Sequence, residues 1–281
     1  MDYKYPTPQL LFKAICNAIR SKTGNSDEIP HQNIPDELDS IITEEEYEIA
    51  ARELSNIIYG SEVKVLDSKY IPYIASYKFY GSDLITIDLP ECTSICDKTF
   101  QNCTNLTTVN LPECTSIGND AFYNCTSLTN VNLPKCTSIG GYAFYSCTNL
   151  TNVNLSECTS IGVHAFDHCT NLTTIDLLEC TSIRDMAFYN CTSLTNVNLP
   201  KCTSIGDAAF MNCTSLTTII LSNNQVVTLM GSNAIARTGY IYVPDGLINN
   251  YKTATKWSTY ANQIKPLSEL PSNLKEEYGY D

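Results

Sequence analysis

Fourteen cysteines are the first residues in this sequence of 281 that could do chemistry, as disulfides, zinc ligands or nucleophiles. Their spacing argues for packing instead. Cys92, Cys114, Cys136, Cys158, Cys180 and Cys202 form one column at a period of 22, and Cys103, Cys125, Cys147, Cys169, Cys191 and Cys213 form another; Cys16 and Cys96 lie outside both. Side chains stacked about 4.8 Å apart and pointing the same way are badly placed for pairwise bonds. A zinc site needs ligands converging on a point, whereas a ladder spreads them along a line. The spacing predicts reduced, buried thiols, with no metal and no cofactor. His164 and His168, four apart and followed by Cys169, would be a metal-binding pair on a helix. Here they replace Asp120 and Asn124 of a neighbouring copy at turn positions, and they read as surface variation. No phosphate loop, dinucleotide fingerprint or nucleophile elbow is present. A catalytic site would have to come from positions that break the repeat: His164, His168, Asp176, Leu178, Arg184, Met186, Met211 and Ile220. They contain no acid, base and nucleophile set, so no catalytic residue is assigned.

The elements that must position any site come from the repeat itself. Starting at Leu89, Leu111, Leu133, Leu155, Leu177 and Leu199, six 22-residue copies follow one another without insertion, each holding an internal echo of Cys-Thr-(Ser or Asn)-(Ile or Leu). Apolar columns recur at Leu106 to Leu216, Val109 to Ile219, Ile95 to Ile205 and Phe100 to Phe210. One copy cannot shield these side chains from water, but stacked copies put Leu on Leu and Phe on Phe in a continuous core. In LTNVNLP the alternation predicts a short strand with Leu128, Val131 and Leu133 inward and Asn130 and Asn132 outward, ended by Pro134. The following SIGNDAF is read as a turn, made at Gly118, Gly140, Gly162 and Gly206.

The order Leu128, Val131, Leu133, Pro134, Ile139, Gly140, Ala143, Phe144, Cys147, Leu150 resembles the BspA-type leucine-rich repeat of bacterial surface proteins. That resemblance implies an α/β-type repeat solenoid, a right-handed coil with short parallel strands, acting as a recognition module at a cell surface or on a virion. Two features depart from it: Cys136 and its column stand where an aliphatic residue is commoner, and the unit is one residue short.

Three regions are expected. Residues 1–62 form a helical N-terminal segment, with one helix from Thr7-Pro8 to about Ser21 and another from the Thr43/Glu46 capping box to Gly60. Part of it, AICNAIR with the polar stretch that follows, resembles segments of phage tail or minor structural proteins, which suggests an attachment region. Residues 63–239 hold the solenoid, including a degenerate first coil with Ile74, Phe79, Leu84, Ile87 and Leu89 in core columns. Residues 240–281 form a C-terminal cap: a strand to Val243, a helix capped by Asp245 with Leu247, Tyr251 and Ala254 on one face, and Trp257, Tyr260 and Ile264 closing the core. This stretch is similar to the closing segment of BspA-like proteins of gut bacteria.

A net charge of −13 disfavours a nucleic-acid partner, because phosphate-binding surfaces need clustered Lys and Arg. No apolar run is long enough to span a membrane, and the first twenty residues lack the pattern of a secretory signal, so simple export is not expected. What is left is surface. The candidate binding residues are Tyr123, Tyr142, Tyr145 and Tyr189 on a turn edge, and Asn130, Asn132, Asn152, Asn154, Asn196 and Asn198 on the strand face. Tyrosine buries much area at small entropic cost. The leading expectation is a non-enzymatic module that binds a protein or glycan. The alternatives are an intracellular protein-interaction scaffold, or a phage tail or surface structural component. An unbroken Thr column, Thr107 to Thr217, also raises a lattice-matching role such as ice binding.

Overall fold

The computed structural model describes residues 65–67, 73–74 and 76–280. The two expected N-terminal helices lie outside these residues. From Val65 onward the chain is a parallel-strand solenoid in which each coil carries two short strands. The first is the expected one, as at Asn130–Asn132, with Val131 buried between exposed asparagines. Its partner in the next coil is Asn152–Asn154, in a register that sets Val131 against Val153. The second strand, as at Ser138–Ile139, corrects the reading of SIGNDAF as turn alone. Its Ile is buried, its Ser is half-buried, and it pairs with Ser160–Ile161 in an eight-stranded sheet running the length of the solenoid. Two residues suffice as a strand because identical rungs lie above and below.

The glycines after this strand have another purpose than the one expected. None of Gly118, Gly140, Gly162 and Gly206 has positive φ. At these glycines the neighbouring coil approaches closely, so that a Cβ on Gly162 would lie 2.5 Å from the carbonyl carbon of Gly140, although Cys96 and Arg184 stand in the same column. Left-handed φ falls instead on two other positions of each coil, as at Asp120 and Asn124, or His164 and His168. Asn, Asp and His tolerate that conformation better than most residues.

Like stacks on like throughout the core. Phe79, Phe100, Phe122, Phe144, Phe166, Phe188 and Phe210 form a column of near-parallel rings with centroids 5.1 to 5.4 Å apart. The twelve column thiols are all free and buried. One column bonds between coils: the Sγ of Cys147 donates to the Phe122 carbonyl at 3.2 Å, and Cys169 to Phe144 at 3.1 Å. The other bonds within its coil, Cys136 donating to the Ser138 carbonyl at 3.3 Å. The thiols therefore donate to carbonyls as well as filling space. The Thr column is engaged in the same manner, Thr129 and Thr151 each donating a hydroxyl to the carbonyl of the preceding coil at 3.0 and 3.1 Å. Hydroxyls committed to backbone are poor lattice-matching groups.

The long-strand face breaks once, between Thr174–Ile175 and Asn196–Asn198, which belong to different sheets. In that copy the strand ends a residue early, and Asp176 accepts the Leu178 N–H at 3.3 Å, as Asn154 accepts that of Ser156 one coil before. A four-stranded sheet then continues through Tyr240–Val243 to Ile264–Pro266. The terminal aromatics close the core, with Tyr251, Trp257 and Tyr260 fully buried and their polar tips on the last coil's backbone. Trp257 Nε1 donates to the Val227 carbonyl at 2.6 Å, and Tyr260 Oη to the Ser232 carbonyl at 2.8 Å. Asp245 does not cap the helix Ile248–Thr253, which follows a 3-10 turn and has no side-chain cap. Its carboxylate accepts the Ser268 N–H at 3.1 Å, and the hydrogen bonds from Ser268 hold it below the usual carboxylate range. Of the face assigned to that helix only Tyr251 is buried; Leu247 and Ala254 are half-buried. A further helix, Ser272–Tyr278, packs Leu274 with Leu270 against Ile220 and Tyr242.

Burial raises the column thiols, Cys92 to about 11 and Cys114 and Cys202 to about 12 from an ordinary 9.0. Because the folded state keeps protons that the unfolded chain releases, this stabilisation is complete below pH 9 and is lost as pH rises through the folded values. The melting midpoint should fall steeply above about pH 9, each thiol contributing at most about 1.4 kcal/mol per pH unit. Alkylation of the native protein at pH 8 should label half-buried Cys96 before any of the twelve column thiols, as read by peptide mass spectrometry.

Candidate functional site

The turn edge is built by the two left-handed positions in each coil. They fold the chain so that the residues at Tyr123, Tyr145, Asp167 and Tyr189 share one column, and those at Asp120, Tyr142, His164 and Met186 another. Tyr123 and Tyr145 stack at 4.8 Å with planes 8° apart. Tyr142 lies 5.8 Å from Tyr145 at a tilt and stacks at 4.6 Å on His164. Three of the four predicted tyrosines are thus brought together. Tyr189 is separated from them because Asp167 interrupts its column. Burial raises the Tyr145 phenol, and the neighbouring Asp167 charge adds to that.

Asp167 is the residue that reading the sequence missed. It is buried, with its side chain between two histidines: His164 Nδ1 to Oδ2 and His168 Nδ1 to Oδ1, each at 2.6 Å. A carboxylate only accepts, so both rings donate from Nδ1. The other side of His168 agrees, because Asn212 donates to the Asn190 oxygen at 3.0 Å and Asn190 Nδ2 meets His168 Nε2 at 2.9 Å. His164 and His168 are consequently not free surface variants. Both pin a buried carboxylate, and His164 holds one face of Tyr142, which is 37% exposed and stands at φ 56°. A tyrosine in left-handed backbone costs about 1 kcal/mol, which stacking on His164 offsets by a similar amount. Among the described residues, no group of three or more His, Cys, Asp or Glu is placed to hold a metal ion. No helix of those residues is long and apolar enough to cross a membrane.

Beside this cluster runs a groove of about 610 Å³, lined by Asn119, Asp120, Gly140, Gly141, Tyr142, Ser160, Gly162, Val163, Ser182 and Arg184. Along the column that passes through it, side-chain oxygens cap backbone N–H groups in a regular pattern: Asp97 accepts the Asn119 N–H at 2.7 Å, Asn119 the Gly141 N–H at 2.8 Å, and Asp185 the Asp207 N–H at 2.8 Å. Two rungs break the pattern. Gly141 and Val163 carry no acceptor, and the N–H groups of Val163 and Asp185 have no partner among the described residues.

On the strand face Asn130, Asn132, Asn152 and Asn154 are exposed and Asn196 is half-exposed. Several are already engaged. Asn132 donates to Asn110 at 2.8 Å, and Asn154 accepts the Ser156 N–H at 3.3 Å. Asn198 does not belong to the open face: it is 5% exposed and accepts the Tyr280 hydroxyl at 2.9 Å, because the C-terminal segment folds over it.

A family model described as BspA type Leucine rich repeat region matches in six copies, over residues 72–179 and 137–244. Among solved structures, the chain is similar to a leucine rich cell surface protein from Faecalibacterium prausnitzii A2-165, with 24% identity over 63% of this chain and 59% of that one and a TM-score of 0.47. It is also similar to a leucine-rich repeat protein from Bacteroides ovatus ATCC 8483, with 22% identity over 69% and 64% of the two chains and a TM-score of 0.38. The chain spans less than two thirds of the length of each of these proteins. A search of the curated proteins found no match.

Asp167→Asn removes the acceptor of one histidine. It should cost about 1 to 3 kcal/mol of stability in urea unfolding. Imidazole nitrogen NMR should then show one ring giving up the Nδ1–H that both direct at Asp167 in the parent protein.

Proposed function

Since the chain belongs to the BspA-type leucine-rich repeat family, we propose that it is a non-enzymatic recognition module that binds a protein or glycan through its extended coil surface. The carrying observation is the turn edge, where Tyr123, Tyr142 and Tyr145 gather beside an open groove, with Tyr142 exposed in left-handed backbone. Tyrosine-rich edges of this kind supply rigid amphipathic area. On this reading residues 63–239 form the recognising surface, 240–281 close it, and 1–62 attach it to a cell surface or virion. The strand-face residues Asn130, Asn132, Asn152, Asn154 and Asn196 give a second, polar contact area.

An intracellular interaction scaffold is the second reading, favoured by twelve buried thiols that are all unpaired and hydrogen-bonded to carbonyls. Thiol labelling after unfolding, together with fractionation of the native host, separates the two: twelve free column thiols on a cytosolic protein would exclude the surface location.

A combined glycan and protein array probed with the full chain tests the recognition role. Saturable binding that drops about tenfold or more when Tyr123 and Tyr145 are both changed to Ser supports it. Binding that survives both this pair of changes and Asn130→Lys with Asn152→Lys would show that the solenoid surface is not the recognising element.

A further inference from the structure

The groove beside Tyr142 holds a seat for an oxygen atom that the chain itself leaves empty. In the neighbouring rungs an Asp or Asn side-chain oxygen of one coil accepts the N–H of the next, at 2.7 to 2.8 Å. At Gly141 no such side chain exists, and the repeat geometry aims the Val163 N–H at the place it would have filled. The space is real: a Cβ on Gly141 would come no nearer than 3.4 Å to any atom. One coil further on, Arg184 stands where Gly118, Gly140, Gly162 and Gly206 stand in other copies. Of the four basic residues between 89 and 221, Lys135 pairs with Glu113, Lys201 with Glu179, and Lys98 lies over Tyr77. Arg184 alone of these has no carboxylate or ring partner among the described residues, and it is exposed on the groove wall. Ser160 and Ser182 line the same groove together with Ile139 and Ile161, and Tyr142, steadied by His164 and the buried Asp167 behind it, stands on its wall.

An unpartnered guanidinium, an uncapped backbone N–H, two hydroxyl-bearing residues and a fixed aromatic ring describe a site for a carboxylate carried on a polar ring. We infer that this groove binds an acidic sugar of the hexuronate class, its carboxylate on Arg184 and the Val163 N–H and its ring against Tyr142. Arg matches a carboxylate with two parallel N–H donors. The nearby acids do not cancel it. The Asp185 carboxylate is turned onward to the Asp207 N–H, and Asp120 lies at the far end of the groove, about 14 Å away at three coil spacings. That length suits a short oligosaccharide. The assignment rests on the glycan form of the recognition role and names its ligand class.

Two substitutions that make the chain more regular test it without endangering the fold. Gly141→Asn restores the residue that the preceding copy has at Asn119, filling the seat, and Arg184→Gly restores the residue of the adjacent copies. Calorimetric titration of the full chain with tetragalacturonate should show binding that weakens about tenfold to a hundredfold in each variant, and in Tyr142→Asn. Methyl-esterified tetragalacturonate should bind the parent chain at least about tenfold more weakly. Amide exchange at Val163 should slow on adding the acid form to the parent chain, and should already be slow in Gly141→Asn. No binding of tetragalacturonate, equal binding of acid and ester, or binding indifferent to Arg184→Gly overturns the inference, as does a tetraglutamate peptide that binds as tightly. If these arms fail while array binding still depends on Tyr123 and Tyr145, the groove assignment falls and the recognition role stands. If array binding is absent too, both fall.

Discussion

Register is the constraint from which the rest of this structure follows. Each coil is too small to bury its own Leu, Ile and Phe side chains, and the period of 22 lets the neighbouring coil do so without any change of side-chain type. Once Phe144 lies over Phe122, the same translation puts Cys147 within reach of the Phe122 carbonyl and Thr151 within reach of the Thr129 carbonyl. The polar ladders are by-products of the apolar one. They add a second donor to carbonyls that already accept a backbone N–H, Phe122 from Cys125 and Thr129 from Thr151, so each bond brings only a modest net gain. A slip of one residue would break all of them at once.

A strictly regular stack cannot make a localised site, because every rung would offer the same groups. What could recognise a particular ligand therefore lies where the copies differ. Asp167 in a tyrosine column, His164 and His168 at its sides, Gly141 without an acceptor and Arg184 in a glycine column all fall within three consecutive coils on one edge. Other departures from the repeat, such as Asp176, Leu178, Met211 and Ile220, lie elsewhere, but these five meet in one groove and its backing, and each is tolerated because the unaltered columns behind it hold the backbone.

The regular part of this arrangement was legible from spacing alone. The Phe, Leu and Cys columns, the outward asparagines and the closing aromatics Trp257 and Tyr260 are one-dimensional patterns that translate directly into stacking. The Ser–Ile strands were hidden because two residues show no period; only the rung above and below makes them a sheet. The glycines were visible but their reason was not, since close approach to a carbonyl belongs to the neighbouring coil and positive φ to the residue itself. Asp167 looked like an ordinary turn residue until both histidines closed on it. Asn198 matched its exposed counterparts in every local respect and is covered by Tyr280, 82 residues away. The capping role given to Asp245 failed for the same reason: its partner, Ser268, is on another segment.

Because the contacts between interior coils join a residue to its counterpart one period away, no coil in the middle carries an address of its own. A duplication or deletion of 66 nucleotides, one whole rung, would leave the contacts on either side chemically unchanged while moving the closing segment outward or inward by about 4.8 Å. Reach is thus the property that such a gene can alter most cheaply, and the distance over which the protein touches its target becomes a count of rungs.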